Sequence, residues 1–333
     1  MKVLVTGVTG QLGHDCVNEM SKRGHEVIGS DIQKGDDAPA PGDRVQDGAM
    51  TPGGQIQGDE AQLQGGGARA SKPVYVSLDI TNAEAVRNTI GALKPDAIIH
   101  CAAWTAVDAA EDDANKPKVH AINVEGTRNI AQAAADIDAK MVYISTDYVF
   151  DGQGERPWQP DDKNYAPLNV YGQTKLEGEL AVSSVLSKYY IVRIAWVFGV
   201  NGKNFIKTML QVGKTHDTVR VVNDQIGTPT YTKDLARLLV DMIETDKYGY
   251  YHATNSECKP REYISWYDFC VEFYKQYGLT TNVVPVSTAE YGLSAAKRPF
   301  NSRLNKSKLQ ENGFTPLPDW KDAVSRYLKE ANL

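Results

Sequence analysis

Short apolar runs alternate with longer amphipathic segments over the first two hundred residues. The run KVLVTG (2–7) precedes a helical pattern at 11–24, and EVIGSD (26–31) follows as a second strand. The alternation continues with strands predicted at 74–79, 96–103, 140–146 and 189–199, and with helices predicted at 82–93, near 119–135 and around Tyr171. Such uniformly apolar strands, each followed by a helix, are typical of a parallel sheet covered on both faces.

One segment, residues 33–73, interrupts this pattern between the second and third predicted strands. Its 41 residues include nine Gly, four Pro and six Gln, and they contain no aromatic residue and no apolar periodicity. This composition buries too little apolar surface to offset the entropy lost on ordering. We therefore interpret 33–73 as a flexible insertion and keep the strand assignments on either side.

Beyond residue 200 the alternation becomes irregular and richer in aromatic residues and turns. Helices are predicted at 204–213, 232–243, 263–277 and 318–331, and short strands near 219–222, 249–253 and 283–286. The fold class predicted is α/β, a Rossmann-type doubly wound parallel sheet with a smaller C-terminal α/β domain. We expect two domains, residues 1–200 and residues 201–333, with possible chain crossings between the two, and the second is expected mainly to bind substrate.

Composition and charge narrow the classes of function. The 333 residues are 41% hydrophobic and carry a formal net charge of −6, with a pI near 5.6. This acidic balance argues against a general nucleic-acid or anionic-membrane surface. Four scattered cysteines suggest neither a zinc site nor a disulfide framework. The N-terminal sequence has no signal-peptide pattern, and no apolar run approaches the roughly 20 residues of a membrane span. A cytoplasmic protein is expected.

A glycine-rich turn follows the first predicted strand. The sequence GVTGQLG places Gly7, Gly10 and Gly13 between that strand and the first helix, with Gln11 and Leu12 among them. In this context glycines permit a tight turn and let phosphate oxygens reach the amides of the helix N-terminus. We expect a nicotinamide dinucleotide, NADH or NADPH, at this turn.

Asp31 ends the second predicted strand, where a carboxylate accepts hydrogen bonds from ribose hydroxyls and repels a 2′-phosphate. The nearby Lys34 weakens that preference for NADH, so the choice of cofactor is left open. Four more positions at later strand ends are candidates for cofactor contact, namely Asp79, Ile80, Ala102 and Ala103. Asp79, or alternatively Asn82, is also a candidate cap for the next helix.

Tyr171 and Lys175 stand four residues apart in a predicted helix and therefore share one face. An ammonium close to a phenol favours the ionised form of the phenol and lowers its pKa from about 10. Such a tyrosine would exchange protons near neutral pH. The pair alone is weak evidence, since about one Tyr-x-x-x-Lys is expected by chance in a chain of this composition.

Several blocks together resemble a known family. The glycine spacing, STDYVFDG (145–152) and YGQTK (171–175) resemble an extended short-chain dehydrogenase/reductase. More narrowly, the sequence resembles the dTDP-4-dehydrorhamnose reductase family, in blocks that span the chain apart from 33–73: CAAWTAVDAAE (101–111), INVEGTRNIA (122–131), RIAWVFG (193–199), NF (204–205) and VVNDQIGTPTYTKDLA (221–236).

This resemblance implies a reaction, the reduction of the 4-keto group of dTDP-4-dehydro-L-rhamnose to dTDP-L-rhamnose. Tyr171 would protonate the keto oxygen, and Thr146 would donate a hydrogen bond to the same oxygen. Lys175 would bind the nicotinamide ribose and lower the pKa of Tyr171. Trp104 and Thr105 would border the cofactor. The sugar would lie near Asp147, Tyr148 and Trp196. The candidates for the nucleotide-diphosphate half of the substrate are Asn204, Phe205 and Arg298, with Arg303 as the alternative to Arg298.

Other interpretations remain open from the sequence. The enzyme could be a reductase or epimerase of a different nucleotide sugar, or the chain could be a non-catalytic NADP-binding subunit like the regulatory subunit of methionine adenosyltransferase. Some relatives pair through a metal held by acidic residues, but Asp15 has no obvious partners for this, so we expect no metal. Whether the protein is a homodimer is left open.

Overall fold

A seven-stranded parallel sheet forms the centre of the chain in a computed structural model that describes residues 1–32, 73–257 and 263–333. The strands of the described residues are β1 (Lys2–Thr6), β2 (Glu26–Asp31), β3 (Val74–Ser77), β4 (Ala97–His100), β5 (Lys140–Thr146), β6 (Tyr189–Ile194), β7 (Val197–Phe198), β8 (Thr218–Val222), β9 (Ile226–Gly227), β10 (Thr230–Tyr231), β11 (Gly249–His252), β12 (Ile264–Ser265) and β13 (Asn282–Val286). In the large sheet their order is β11-β6-β5-β4-β1-β2-β3. The predicted insertion, apart from Pro73, lies outside the described residues, as do Lys34 and Cys258.

Helices cover both faces of this sheet. Those of the described residues are α1 (Gln11–Lys22), α2 (Ala83–Leu93), α3 (Lys116–His120), α4 (Thr127–Asp136), α5 (Val170–Val185), α6 (Phe205–Thr215), α7 (Thr232–Ile243), α8 (Trp266–Tyr277), α9 (Thr288–Tyr291), α10 (Ser307–Glu311) and α11 (Trp320–Glu330). Val3 and Val5 of β1 pack in the core that includes α1 and α7. Leu4 between them packs in the core formed with α2, α4 and α5. Because both faces are buried, the strand is apolar at successive positions. The predicted fold class is confirmed.

The C-terminal part of the chain forms a smaller α/β region. In it β8 pairs with β13 in parallel and β9 with β12 antiparallel, and an aromatic core joins them to α6, α8 and α11. However, β11 extends the large sheet beside β6, and α7 packs against α1. These two elements return to the first part of the chain. The domain boundary at residue 200 stays a prediction.

Three predicted elements differ from the observed ones. The strand expected at 96–103 ends at His100, and residues 101–105 continue without regular structure. The strand expected at 189–199 divides at Trp196, whose φ of 51° lies in the left-handed region that an extended strand cannot contain. A π-helical turn, Ala121–Gly126, interrupts the helix expected at 119–135. A π-helical turn holds more residues than an α-helical turn, and the apolar pattern of the sequence does not show where this occurs.

Candidate active site

The glycine-rich turn connects β1 to α1 in a form that suits a diphosphate. Gly7 has a φ of 70°, and a Cβ there would lie 2.6 Å from the backbone nitrogen of Ala102, so glycine is required. α1 begins after Gly10, which has no side chain to occupy the amides of Gln11, Leu12 and Gly13. A helix N-terminus with free amides binds anions. The residues present therefore fit the diphosphate of a dinucleotide.

Asp31 is held against this turn. Its Oδ2 accepts hydrogen bonds from the backbone nitrogen and the hydroxyl of Thr9, at 3.0 and 2.6 Å. The backbone nitrogen of Ile32 donates to Oδ1 at 2.9 Å. Thr9, which the sequence analysis did not single out, thus orients the carboxylate beside the glycine-rich turn. Contact between Asp31 and a ribose stays a prediction.

The other cofactor candidates at strand ends have protein partners. Asp79 accepts hydrogen bonds from the backbone nitrogen and hydroxyl of Thr81, while Asn82 caps α2 by accepting from Ala85. Of the two caps considered, Asn82 is therefore the one observed. The side chain of Ile80 is buried, 5% exposed. Contacts of Asp79 and Ile80 with the cofactor stay predictions.

The segment after β4 runs beside the glycine turn and is fixed by Asn123. The backbone nitrogen of Ala102 donates to the Thr6 hydroxyl at 3.2 Å, and Ala103 follows it. The side-chain amide of Asn123 accepts from the backbone nitrogen of Trp104 at 2.8 Å and donates to its carbonyl at 3.2 Å. Asn123 lies in the π-helical turn, which directs it inward. The sequence analysis quoted its motif without assigning it a role. Thr105 is exposed.

Tyr171 lies in the first turn of α5, beside the end of β5. Asn169 caps this helix by accepting from the backbone nitrogen of Gly172 at 2.7 Å. Burial raises the pKa of Tyr171, the charge of Asp147 raises it further, and a hydrogen bond with Thr146 acts in the opposite direction. The expectation that the pKa of Tyr171 is lowered is therefore wrong in this structure. The phenol stays protonated around neutral pH.

Lys175 is almost completely buried one turn further along α5, with 3% of the residue exposed. Its ammonium lies over the ring of Tyr143, 4.1 Å from the ring centroid. Burial lowers the pKa of Lys175 to about 7, although nearby Glu179 and Cys101 act to raise it. The ammonium lies over Tyr143, and the shift in the pKa of Tyr171 comes from burial, Asp147 and Thr146 rather than from Lys175.

Asp147 places a buried carboxyl at the same sheet edge. It is 1% exposed and accepts hydrogen bonds from the hydroxyls of Thr146 and Ser302. Burial raises its pKa to about 6, against the effect of those two hydroxyls. The next residue, Tyr148, packs edge-on against Tyr171 with ring centroids 5.8 Å apart. The structure therefore brings together Thr146, Asp147, Tyr148 and Tyr171.

Three substrate candidates have packing roles in the aromatic core. Trp196 is 8% exposed and stacks on Trp266 with centroids 4.0 Å apart. Phe205 packs against the same Trp266 at 4.6 Å. Asn204 caps α6 by accepting from the backbone nitrogen of Lys207, and it donates to the side-chain oxygen of Gln11 at 3.2 Å. The contact of Trp196 with the sugar, and those of Asn204 and Phe205 with the nucleotide-diphosphate half of the substrate, stay predictions.

The two candidate arginines for the diphosphate have different surroundings. Arg298 forms a bidentate pair with Asp108, at 2.9 and 2.7 Å. Arg303 donates to the neutral side-chain oxygen of Asn301 at 3.0 Å. Arg303 also lines a cavity of about 400 Å³ together with Tyr263 and Tyr267. Arg298 therefore has a carboxylate bonded directly to its guanidinium, whereas for Arg303 the carboxylate of Asp268 lines the same cavity.

The described residues contain no group of three or more His, Cys, Asp or Glu side chains arranged to hold a metal ion. Asp15 accepts a hydrogen bond from the Thr232 hydroxyl. Within the same ranges, none of the helices has the length and apolar character needed to cross a membrane. Cys16, Cys101 and Cys270 are free thiols.

The parallel sheet, the glycine turn at the N-terminus of α1 and the strand-end residues define a dinucleotide-binding Rossmann fold. The model of the RmlD substrate binding domain matches residues 1–333, and the chain belongs to that family. This confirms both the resemblance seen in the sequence and the expected class, an oxidoreductase of the RmlD family.

Relatives and solved structures agree with this assignment. The spore coat polysaccharide biosynthesis protein SpsK of Bacillus subtilis is 33% identical over 329 residues, which cover 99% of this chain and 97% of SpsK. The dTDP-4-dehydrorhamnose reductase of Escherichia coli K12 is 39% identical over 265 residues, 76% of this chain and 85% of that enzyme. The crystal structure of the Bacillus anthracis dTDP-4-dehydrorhamnose reductase in complex with NADP has a TM-score of 0.79 at 34% identity, and the match covers 99% of both chains.

Proposed function

We propose that the protein reduces the 4-keto group of dTDP-4-dehydro-L-rhamnose with NADH or NADPH, producing dTDP-L-rhamnose. One observation carries this proposal: Tyr171 packs against Tyr148 at the end of β5, where the Thr146 hydroxyl acts to lower the pKa of the phenol, and Lys175 follows one turn along the same helix. Relatives named dTDP-4-dehydrorhamnose reductase, and an NADP complex of one of them, support the choice of substrate and cofactor.

The chain offers a consistent set of cofactor contacts. The amides at the start of α1 suit the diphosphate, and Asp31 at the end of β2 suits the adenosine ribose. Ala102, Ala103 and Trp104 would line the passage between the two ends of the cofactor. Lys175 would donate to the nicotinamide ribose. When bound, the reduced cofactor supplies hydride to the carbonyl carbon.

Tyr171 is suited to donate the accompanying proton. Since burial raises its pKa, the phenol remains protonated, which is the form that a reduction requires. The hydroxyl of Thr146 would donate a second hydrogen bond to the carbonyl oxygen. As that oxygen gains negative charge, both donors stabilise it, and the proton of Tyr171 completes the alcohol. Without substrate the Thr146 hydroxyl donates to Asp147, so its single proton would turn from Asp147 to the carbonyl oxygen when substrate binds.

For the nucleotide half of the substrate we propose residues of the C-terminal region. Arg303 and the aromatic side chains of its cavity suit a diphosphate and a base. Arg298 remains the second candidate. The division of labour is then the one predicted from the sequence, with residues 1–200 binding the dinucleotide and 201–333 mainly binding the substrate.

The test is the loss of absorbance at 340 nm when purified protein meets NADH or NADPH and dTDP-4-dehydro-L-rhamnose, generated in place from the 4-dehydro-glucose precursor by a 3,5-epimerase. Tyr171→Phe is the matched control, since it removes only the hydroxyl. We expect turnover that falls at least about a hundredfold in the control.

Absence of turnover with this sugar, in a protein that binds the cofactor, would contradict the proposal. Other nucleotide sugars are assayed in parallel, because the full-length match to SpsK, a polysaccharide biosynthesis protein, leaves the sugar open. Turnover with one of them would identify a different reductase. Cofactor binding without turnover on any sugar would favour the non-catalytic subunit.

A further inference from the structure

Tyr143 contacts Lys175 in two separate ways. Its ring lies beneath the ammonium, 4.1 Å from the centroid to Nζ, and its hydroxyl donates to the backbone carbonyl of Lys175 at 3.2 Å. Tyr143 is completely buried in β5, three residues before Thr146. One side chain thus holds both the charged end and the backbone of Lys175.

The neighbouring residues are shaped around this tyrosine. Gly178, three residues after Lys175 in α5, leaves room for the phenol. A Cβ there would overlap the Tyr143 hydroxyl and lie 2.8 Å from the carbonyl oxygen of Asn123. On the adjacent strand, His100 stacks with Tyr143 at 6.0 Å between centroids. His100 is itself fixed by the hydroxyl of Thr6 at 2.7 Å. The ring of Tyr143 therefore has little freedom to move.

The charged groups around Lys175 do not fully offset the cost of burying its ammonium, so the Tyr143 ring has a part in stabilising it. Glu179 of α5 and Cys101 after β4 favour the ammonium, while burial disfavours it. Burial also lowers the pKa of His100 to about 3, so this imidazole is neutral and adds no repulsion. The phenol of Tyr171 is protonated and uncharged. A buried cation that has lost its water gains most from the face of an aromatic ring.

We propose that Tyr143 is a positioning residue for Lys175. The face of the Tyr143 ring keeps the ammonium charged and fixes its direction, and the Tyr143 hydroxyl fixes the backbone of the helix. In the proposed function, which this inference extends, Lys175 donates to the nicotinamide ribose, and a fixed ammonium offers the ribose its full set of three donors. Tyr143 is completely buried and acts through Lys175.

The first test measures the pKa of Lys175 in the protein without cofactor, by NMR of ¹³Cε-labelled lysine with Lys175→Met to assign the signal. Tyr143→Phe keeps the ring, and Tyr143→Leu removes it. We expect Tyr143→Phe to leave the pKa of Lys175 near its native value, and Tyr143→Leu to lower it. We also expect Tyr143→Leu to weaken NADPH binding about tenfold, measured by fluorescence titration.

A second test keeps the shape of the ring and changes only its electrostatics. Phenylalanine and its mono-, di- and trifluorinated forms are placed at position 143 by codon suppression. Each fluorine withdraws charge from the ring face, so the pKa of Lys175 and the affinity for NADPH should fall stepwise along the series. A ring that serves only as packing would give a flat series, and this result would overturn the proposal. The series also covers the case in which Tyr143→Leu does not fold.

These measurements are independent of the proposed reaction. If the wild type reduces no nucleotide sugar, the proposed function fails, yet the pKa of Lys175 still shows whether Tyr143 stabilises the ammonium. If the wild type is active, we expect Tyr143→Leu to lower kcat and to leave the KM for the sugar unchanged. A raised sugar KM with an unchanged pKa of Lys175 would mean a general disturbance of the site and would overturn the proposal.

Discussion

Arg193 of β6 and Glu179 of α5 form an ion pair that is completely buried. The guanidinium Nε and Nη2 donate to Oε1 and Oε2, both at 2.8 Å, and neither side chain is exposed to solvent. Arg193 also donates to the carbonyl of Pro160 and to the hydroxyl of Tyr165, each at 3.1 Å. This pair fixes α5 to the sheet one turn beyond Lys175.

Breaking this pair should destabilise the protein strongly. Glu179→Ala leaves the guanidinium buried without its carboxylate, and we expect a loss of about 3–5 kcal/mol in the free energy of unfolding, measured with urea at pH 7. Lys188→Ala is the matched control, since its partner Asp138 is mostly exposed, and it should cost less than about 1 kcal/mol. Equal losses in the two variants would contradict the assignment. Replacing both partners, in Glu179→Leu with Arg193→Met, should recover part of the stability.

Asp31 should determine the preference between the two cofactors. Asp31→Ala removes both the acceptor for ribose hydroxyls and the charge that repels a 2′-phosphate. We expect the ratio of kcat/KM for NADPH to that for NADH to rise about tenfold. Thr9→Val is the control, because it removes one of the hydrogen bonds that orient Asp31 and leaves its charge in place. An unchanged ratio in Asp31→Ala would show that other residues distinguish the adenosine ends of NADPH and NADH.

Asp147 should make stability depend on pH in the acid range. Its pKa in the folded protein, about 6, lies above the usual value near 3.8, so the folded state holds the proton more tightly than the unfolded state. This contribution to stability is complete below pH 3.8 and is lost as the pH rises through about 6, with a total of roughly 3 kcal/mol.

The check is urea unfolding of wild type and Asp147→Asn between pH 4 and pH 7. As the pH rises over that range, the free energy of unfolding of the wild type should fall relative to that of Asp147→Asn. Ser302→Ala removes a hydroxyl that favours the carboxylate, so it should move the transition to higher pH. A difference that does not vary with pH would mean that Asp147 is ionised at its ordinary pKa.

Arg303 should contribute more than Arg298 to binding of dTDP, measured by calorimetry. Arg303→Ala should weaken binding about tenfold, since charge-assisted hydrogen bonds to phosphate are worth roughly 1.5–3 kcal/mol. Arg298→Ala should weaken it less than about threefold, because Asp108 already compensates that guanidinium. The opposite order would identify Arg298 as the diphosphate ligand, released from Asp108 when the nucleotide binds.

The local features of this site could be read from the sequence. The glycine turn, Asp31 at a strand end and the spacing of Tyr171 and Lys175 all depend on residues close together in the chain. Their placement follows from the strand and helix periodicities, which the amino-acid pattern specifies directly. The fold class and the family could be predicted from the same kind of signal.

Other features depend on residues far apart in the chain. Ser302 reaches Asp147, Arg193 reaches Glu179, and Asn123 reaches Trp104 only through the register of the sheet and the packing of the helices. The sequence gives no sign that the backbone of Trp196 is left-handed. This conformation separates β6 from β7, which pairs with β10.

The sequence by itself therefore determined the alternating strands and helices, the glycine-rich turn and the spacing of Tyr171 and Lys175. Only the tertiary structure decided the protonation state of these two side chains. Spacing along the helix suggested a lowered pKa for Tyr171, but burial raises it, and the ammonium of Lys175 lies over Tyr143. Solvation and the direction of a side chain are set by everything packed around a residue, and that environment exists only in the folded protein.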